Sequence, residues 1–248
     1  MGTYRKDLPI LTIKTEGIRA IVFDLDRTLI KSQRGSDKAL LEVADFFLKR
    51  YGNRVSRRQI NRTLRPLAKS FESQGLYNRD EWWTKLSRRL GLSALSWNHA
   101  HKITLFYWRT YIAASIPYQD AEYTLKTLRK RGYQLALVTD TDGTPGMKRK
   151  RVRTVPFYNM FETVVVAGED TPKIKPSKMP FILVAERLRL HPHKCVYVGD
   201  NPKVDVNGAK AIGMQTVLVR RRSLRGARPT LVIKSLGQLL RIFKSSGR

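Results

Sequence analysis

Cysteine is almost missing from this 248-residue chain. With Cys195 alone, no internal disulfide can form, and its place in the apolar run CVYVG marks a small core residue. Acids are also scarce: 20 Asp and Glu stand against 48 Lys and Arg, giving a formal net charge of +28. So little Glu argues against the mixed-charge surface common in heat-adapted proteins. No apolar run approaches the ~20 residues that span a bilayer. The opening segment MGTYRKDLPILTIKTEG has no apolar stretch of the secretory kind, and Lys6 stands where myristoylation needs Ser or Thr. A soluble cytoplasmic protein is the expectation.

What is present is positive charge, which concentrates anions: nucleic acid, an anionic membrane face or phosphorylated metabolites. The run Lys148-Arg149-Lys150-Arg151-Val152-Arg153 and the acid-free tail from Arg220 to Arg248 motivate salt-sensitive, non-specific nucleic-acid binding as one reading. A solvated basic surface is the other, since no known nucleic-acid motif accompanies the charge.

Short β-branched runs alternate with helical patterns. The runs are Ile18–Phe23, Gln134–Val138, Thr163–Val166, Cys195–Val198 and Thr216–Val219, with a weaker one at Leu231–Ile233. Continuous apolar runs of this length suit strands buried on both faces of a parallel sheet. Helical patterns at Asp120–Arg131, Ser177–Leu188 and Val204–Ile212 lie between them, and Leu236–Phe243 suits a short terminal helix. Such alternation predicts a doubly wound α/β domain. Roughly a hundred residues separate the first two runs, where a βα connection needs about 2–6. That stretch holds amphipathic blocks at Ser36–Tyr51, Arg57–Ser73, Arg79–Leu90 and Trp97–Ala114, and predicts a helical insertion over the end of the first strand.

Acids gather where strands end. The first run leads into Phe23-Asp24-Leu25-Asp26-Arg27-Thr28, and the fourth into Gly199-Asp200-Asn201-Pro202-Lys203-Val204-Asp205. Ligands of open α/β sheets bind beyond the carboxyl ends of strands. Two carboxylates so close together need a cation or protons to neutralise them, and an oxygen-rich site with few carboxylates suits Mg²⁺. Helix capping would explain Asp200 or Asp205 singly, but not acids delivered to one sheet edge by two strands. The second run supplies Thr139 and Asp140, with a hydroxyl and turn amides for an anion. Lys175-Pro176 precedes the helix that leads to the fourth run.

In order and spacing these pieces resemble the haloacid dehalogenase-like superfamily, specifically phosphatases with a helical cap inserted after the first strand. The resemblance runs from about Ile18 to Val219: Asp24, Asp26 and Thr28 match DxDxT, Thr139 the strand-end hydroxyl, Lys175-Pro176 the Lys-Pro element, and Gly199, Asp200 and Asp205 the acidic GDxxxxD. It implies a Rossmann-like doubly wound parallel core, residues 1–30 and 117–248, with an inserted all-helical cap, 31–116. It further implies Asp24 as nucleophile and Asp26 as general acid and later base. Thr139, Asp140 and Lys175 would bind phosphate. Asp24, Asp26 (through its backbone carbonyl), Asp200 and Asp205 would hold Mg²⁺ or support its shell. The family's dehalogenases typically carry an aromatic residue at the Asp26 position, so an acid there implies phosphate esters. At Asp140 the family often has a neutral residue; its backbone is expected to face the ligand while its side chain caps the following turn. A small phosphorylated substrate is implied. Arg27, Arg34, Trp82, Trp83, Tyr107, Trp108 and Tyr111 are candidates to meet it, although apolar periodicity favours cap core for most of the aromatics.

Overall fold

The computed structural model describes residues 13–221 and 228–244. Six strands form one parallel sheet: β1 (Ala20–Phe23), β2 (Gln134–Asp140), β3 (Thr163–Ala167), β4 (Cys195–Gly199), β5 (Gln215–Val219) and β6 (Leu231–Ile233), in the order β3-β2-β1-β4-β5-β6. Helices α1 (Ser32–Tyr51), α2 (Arg57–Ser73), α3 (Arg79–Arg89) and α4 (Trp97–Ala114) follow β1. After them come α5 (Ala121–Lys130), α6 (Met147–Arg153), α7 (Met179–Leu188), α8 (Asn207–Lys210) and α9 (Leu239–Ile242).

The period-2 geometry of the strands explains why their apolar runs are unbroken. Ile21 and Phe23 of β1 face one core, with Leu125 and Leu128 of α5. Ala20 and Val22 face the other, with Phe181 and Val184 of α7. Both faces are therefore covered, and every β1 side chain is buried. The chain winds outward from β1 to β3, then returns to lay β4 on the other side of β1. This reversal makes the β1–β4 edge the switch point, where the ends of adjacent strands open a crevice. Asp24 N bonds Val198 O at 2.9 Å and fastens the two strand ends together.

The insertion has its own core, built from Phe47 of α1, Leu64 of α2, Trp82 and Trp83 of α3 and Tyr107 of α4. Ser56 and Gln59 form a capping box that starts α2, and the Asn78 side chain accepts from Asp80 N at the start of α3. Gly35 lets α1 lie against the C-terminal turn of α4 beside Ser115. Gly143, at φ +75°, lies against the backbone of Tyr77 and Asn78, so the loop after β2 meets the insertion directly.

One helical expectation is corrected. The pattern at Val204–Ile212 is a π-helical turn (Pro202–Val206) followed by the short α8. The basic run at 148–153 belongs to α6, which lacks the apolar periodicity that would announce it. The terminal pattern forms a 3-10 turn (Leu236–Gln238) and then α9. Among the described residues no helix is long and apolar enough to cross a membrane. Residues 1–12, with Lys6, lie outside the described residues, as do Arg222, Arg225 and Arg248 of the tail.

Candidate active site

The ends of β1 and β4 bring Asp24, Asp200 and Asp205 together. All three are buried, and one carboxylate oxygen from each lies within 4.8 Å of the others. Asp205 braces the cluster: its Oδ2 accepts from Asn201 N at 2.9 Å and its Oδ1 from Lys175 Nζ at 2.8 Å. Lys175 Nζ also donates to Asp24 Oδ1 at 2.8 Å, and Thr28 Oγ1 donates to Asp24 Oδ2 at 3.0 Å. Glycine at 199 is required because a Cβ there would collide with the Asp205 carboxylate. The donors are all oxygens, as a hard divalent cation prefers.

Electrostatics supports the same fit. Burial pushes the Asp24 carboxyl up to about 8; Lys175 acts against the rise, while Asp205 and Asp200 add to it by repulsion. Burial alone would lower the Lys175 ammonium, but Asp205 and Asp24 overcome it and hold the group well above its ordinary value. One lysine among these acids leaves negative charge in a dry place, which a bound cation would neutralise.

Asp26 lies apart from that cluster. Arg151 donates to its Oδ1 at 2.6 Å, Lys148 to its Oδ2 at 2.6 Å, and the Tyr111 hydroxyl to Oδ1 at 3.2 Å. Burial would raise the Asp26 carboxyl; Arg151 and Lys148 prevail and hold it far below the usual carboxylate range. The same two cations bind Asp142 at 2.6 and 2.9 Å. The basic run of α6 is therefore not a continuous strip facing solvent: Lys148 and Arg151 are both 3% exposed and turned toward acids. Sequence reasoning missed this role, because two cations among 48 carry no signal.

Thr139 is buried and lines the same cavity, which measures about 240 Å³. Asp140 lines it too, but its side chain does not cap the following turn. Asp140 Oδ1 accepts from Lys175 N at 2.9 Å, fixing the lysine's backbone from 35 positions away. Desolvation raises its carboxyl, with Lys175 acting against that. Tyr197 was also missed, reading as one more apolar member of β4. Its hydroxyl lies 3.2 Å from Lys175 Nζ and donates to Val138 O at 3.1 Å. Of the candidates in and near the insertion, Arg27, Trp108 and Tyr111 line the cavity. Trp82, Trp83 and Tyr107 pack in the insertion core, and Arg34 lines a separate groove with Leu41 and Thr110.

A crevice at a parallel-sheet switch point, with two strand-end acids and a buried lysine bordered by the helical insertion, is a ligand site of the kind α/β folds build at the carboxyl edge of the sheet. Residues 18–213 match the haloacid dehalogenase-like hydrolase family, and the chain belongs to it. Glyceraldehyde 3-phosphate phosphatase of Methanopyrus kandleri is 29% identical, over 86% of this chain and 88% of that protein. Ribulose-1,5-bisphosphate 5-phosphatase of Halopiger xanaduensis is also 29% identical, over 80% and 83%. Among solved structures, a HAD phosphatase from Thermococcus onnurineus has 27% identity and a TM-score of 0.64, covering 91% of this chain and 98% of that one. The chain is thus a hydrolase whose named relatives are phosphatases.

Proposed function

We propose that the chain is a Mg²⁺-dependent phosphomonoester hydrolase that acts on a small phosphorylated metabolite through an aspartyl-phosphate at Asp24. The observation that carries this reading is the meeting of Asp24, Asp200 and Asp205 around one point, with Lys175 bonded to the first and last. Asp24, Asp200 and the Asp26 backbone carbonyl would hold the Mg²⁺, with Asp205 supporting that shell. Bound there, the ion supplies positive charge to the acids and the phosphoryl oxygens.

Lys175 and the Thr139 hydroxyl bind the transferring oxygens, with backbone amides beside Asp140. Asp24 attacks phosphorus through a carboxylate oxygen, and the ester oxygen leaves with a proton from Asp26. Asp26 then takes a proton from the water that hydrolyses the acyl phosphate. The proton so taken is the one the next ester oxygen receives, while Arg151 and Lys148, bonded to the Asp26 carboxylate, favour the ionised form that this second task needs. The division into core, 1–30 and 117–248, and cap, 31–116, belongs to the same reading: the cap bounds the cavity and excludes water from the attack.

Hydrolysis of p-nitrophenyl phosphate and a panel of phosphorylated metabolites tests the reading. Turnover should vanish with EDTA and return with Mg²⁺. Turnover indifferent to EDTA, or none with any ester, would overturn it.

A further inference from the structure

Lys148 and Arg151 are matched by Asp26 and Asp142, two cations to two acids. Arg79 of α3, which lines the same cavity from the insertion, has no such match. Its side chain is 6% exposed, yet among the described residues the one acid paired with it is Glu72, 44% exposed and 3.8 Å away. Nη1 donates to Tyr77 O at 3.0 Å, while Nε is buried without a hydrogen-bond partner. A guanidinium taken out of water and left so poorly paired is costly, and an incoming anion would relieve that cost.

The aromatics around it hold the charge in place. Its guanidinium carbon sits 3.6 Å from the centroid of the Trp82 ring and 5.1 Å from that of Trp108. Arg151 approaches the Trp108 ring too, at 5.2 Å, so this indole stands between a cap arginine and a core arginine. Trp82 and Trp83 donate their indole N–H groups to Leu76 O and Thr104 Oγ1. The Trp108 Nε1 is buried without a partner, and Trp108 lines the cavity.

We propose that Arg79 binds a second anionic group of the substrate, a carboxylate or a second phosphate, while the ester phosphate lies against Asp24. This rests on the phosphatase reading and narrows it to doubly anionic esters. A purely packing role would require the stacking on Trp82 but not the charge.

Three two-carbon esters test the proposal: 2-phosphoglycolate, ethylene glycol bisphosphate and 2-hydroxyethyl phosphate, which carry a carboxylate, a phosphate and a neutral hydroxyl. The wild-type chain should favour one of the first two over the third in kcat/KM, chiefly through KM. The favoured one identifies the second group. Arg79→Met, whose thioether can still cover Trp82, should cut kcat/KM for the favoured ester about 10- to 100-fold more than for the hydroxyl ester, as loss of a charge-assisted bond implies. Arg79→Lys should recover part of the difference and serves alone if the Met variant does not fold. No wild-type preference, or equal losses on all three esters, would overturn the proposal. If no ester is hydrolysed the phosphatase reading fails, and calorimetry in Mg²⁺ with phosphonoacetate and ethane-1,2-bisphosphonate, each against ethylphosphonate, still decides. Tighter binding of either doubly anionic probe that weakens in the Arg79 variants supports the subsite; affinities equal to that of ethylphosphonate for both reject it.

Discussion

Arg151 and Asp26 are joined by a 2.6 Å ion pair that ties α6 to the loop leaving β1. The pair lies inside the cavity, and with Lys148 it keeps the Asp26 carboxyl ionised far into acid. Because this pKa is depressed in the fold, its contribution to stability is present above the ordinary carboxylate value. It is lost only as the pH falls through the lower, folded value.

Arg151→Met should therefore move the Asp26 titration upward. The acid limb of the kcat profile, where the ionised base is needed, should shift to higher pH than in the wild type. The variant should also melt lower at neutral pH, with the gap narrowing below about pH 4. A pH–rate profile beside thermal melts checks both; an unmoved acid limb would separate Arg151 from Asp26 chemistry.

Asp24 carries the opposite sign. Its pKa is raised to about 8, so the metal-free fold holds this proton more tightly than the unfolded chain does. That stability is present at low pH and declines as the pH rises from about 4 toward 8. In EDTA at pH 8, Asp24→Asn should melt about 2–4 °C above the wild type, roughly what ~1 kcal/mol gives at this size. The gap should close toward pH 5, and turnover should be absent throughout. Parallel melting curves would show that Asp24 is not strained by its neighbours.

Mg²⁺ at about 100 times its dissociation constant should stabilise the wild type by ~2.7 kcal/mol, or roughly 5–10 °C. Asp200→Asn should lose most of that rise. Scanning calorimetry across a Mg²⁺ series makes the comparison, and an equal rise in both proteins would remove Asp200 from the metal site.

The strand-end acids were legible because unbroken apolar runs mark β1 and β4, and a parallel sheet sends both carboxyl ends to one edge. Lys175 was legible through its neighbour Pro176 and its place before α7. The cations of α6 were not. That helix has seven residues, follows Gly143, Pro145 and Gly146, and is held by tertiary ion pairs rather than by periodicity. Tyr197 was hidden because one face of a doubly buried strand reads like the other. Asp140 could not be oriented locally, since its partner is the Lys175 amide. Arg79 opens an amphipathic helix, and nothing in that pattern distinguishes a buried arginine from a solvated one.

The most direct test is to quench the enzyme during turnover of a phosphate ester and map the phosphoryl group by mass spectrometry. The expected result is a hydroxylamine-labile acyl phosphate on the peptide containing Asp24, absent from Asp24→Asn. A phosphoryl group on another residue, or turnover undiminished in Asp24→Asn, would contradict the assignment of Asp24 as the nucleophile.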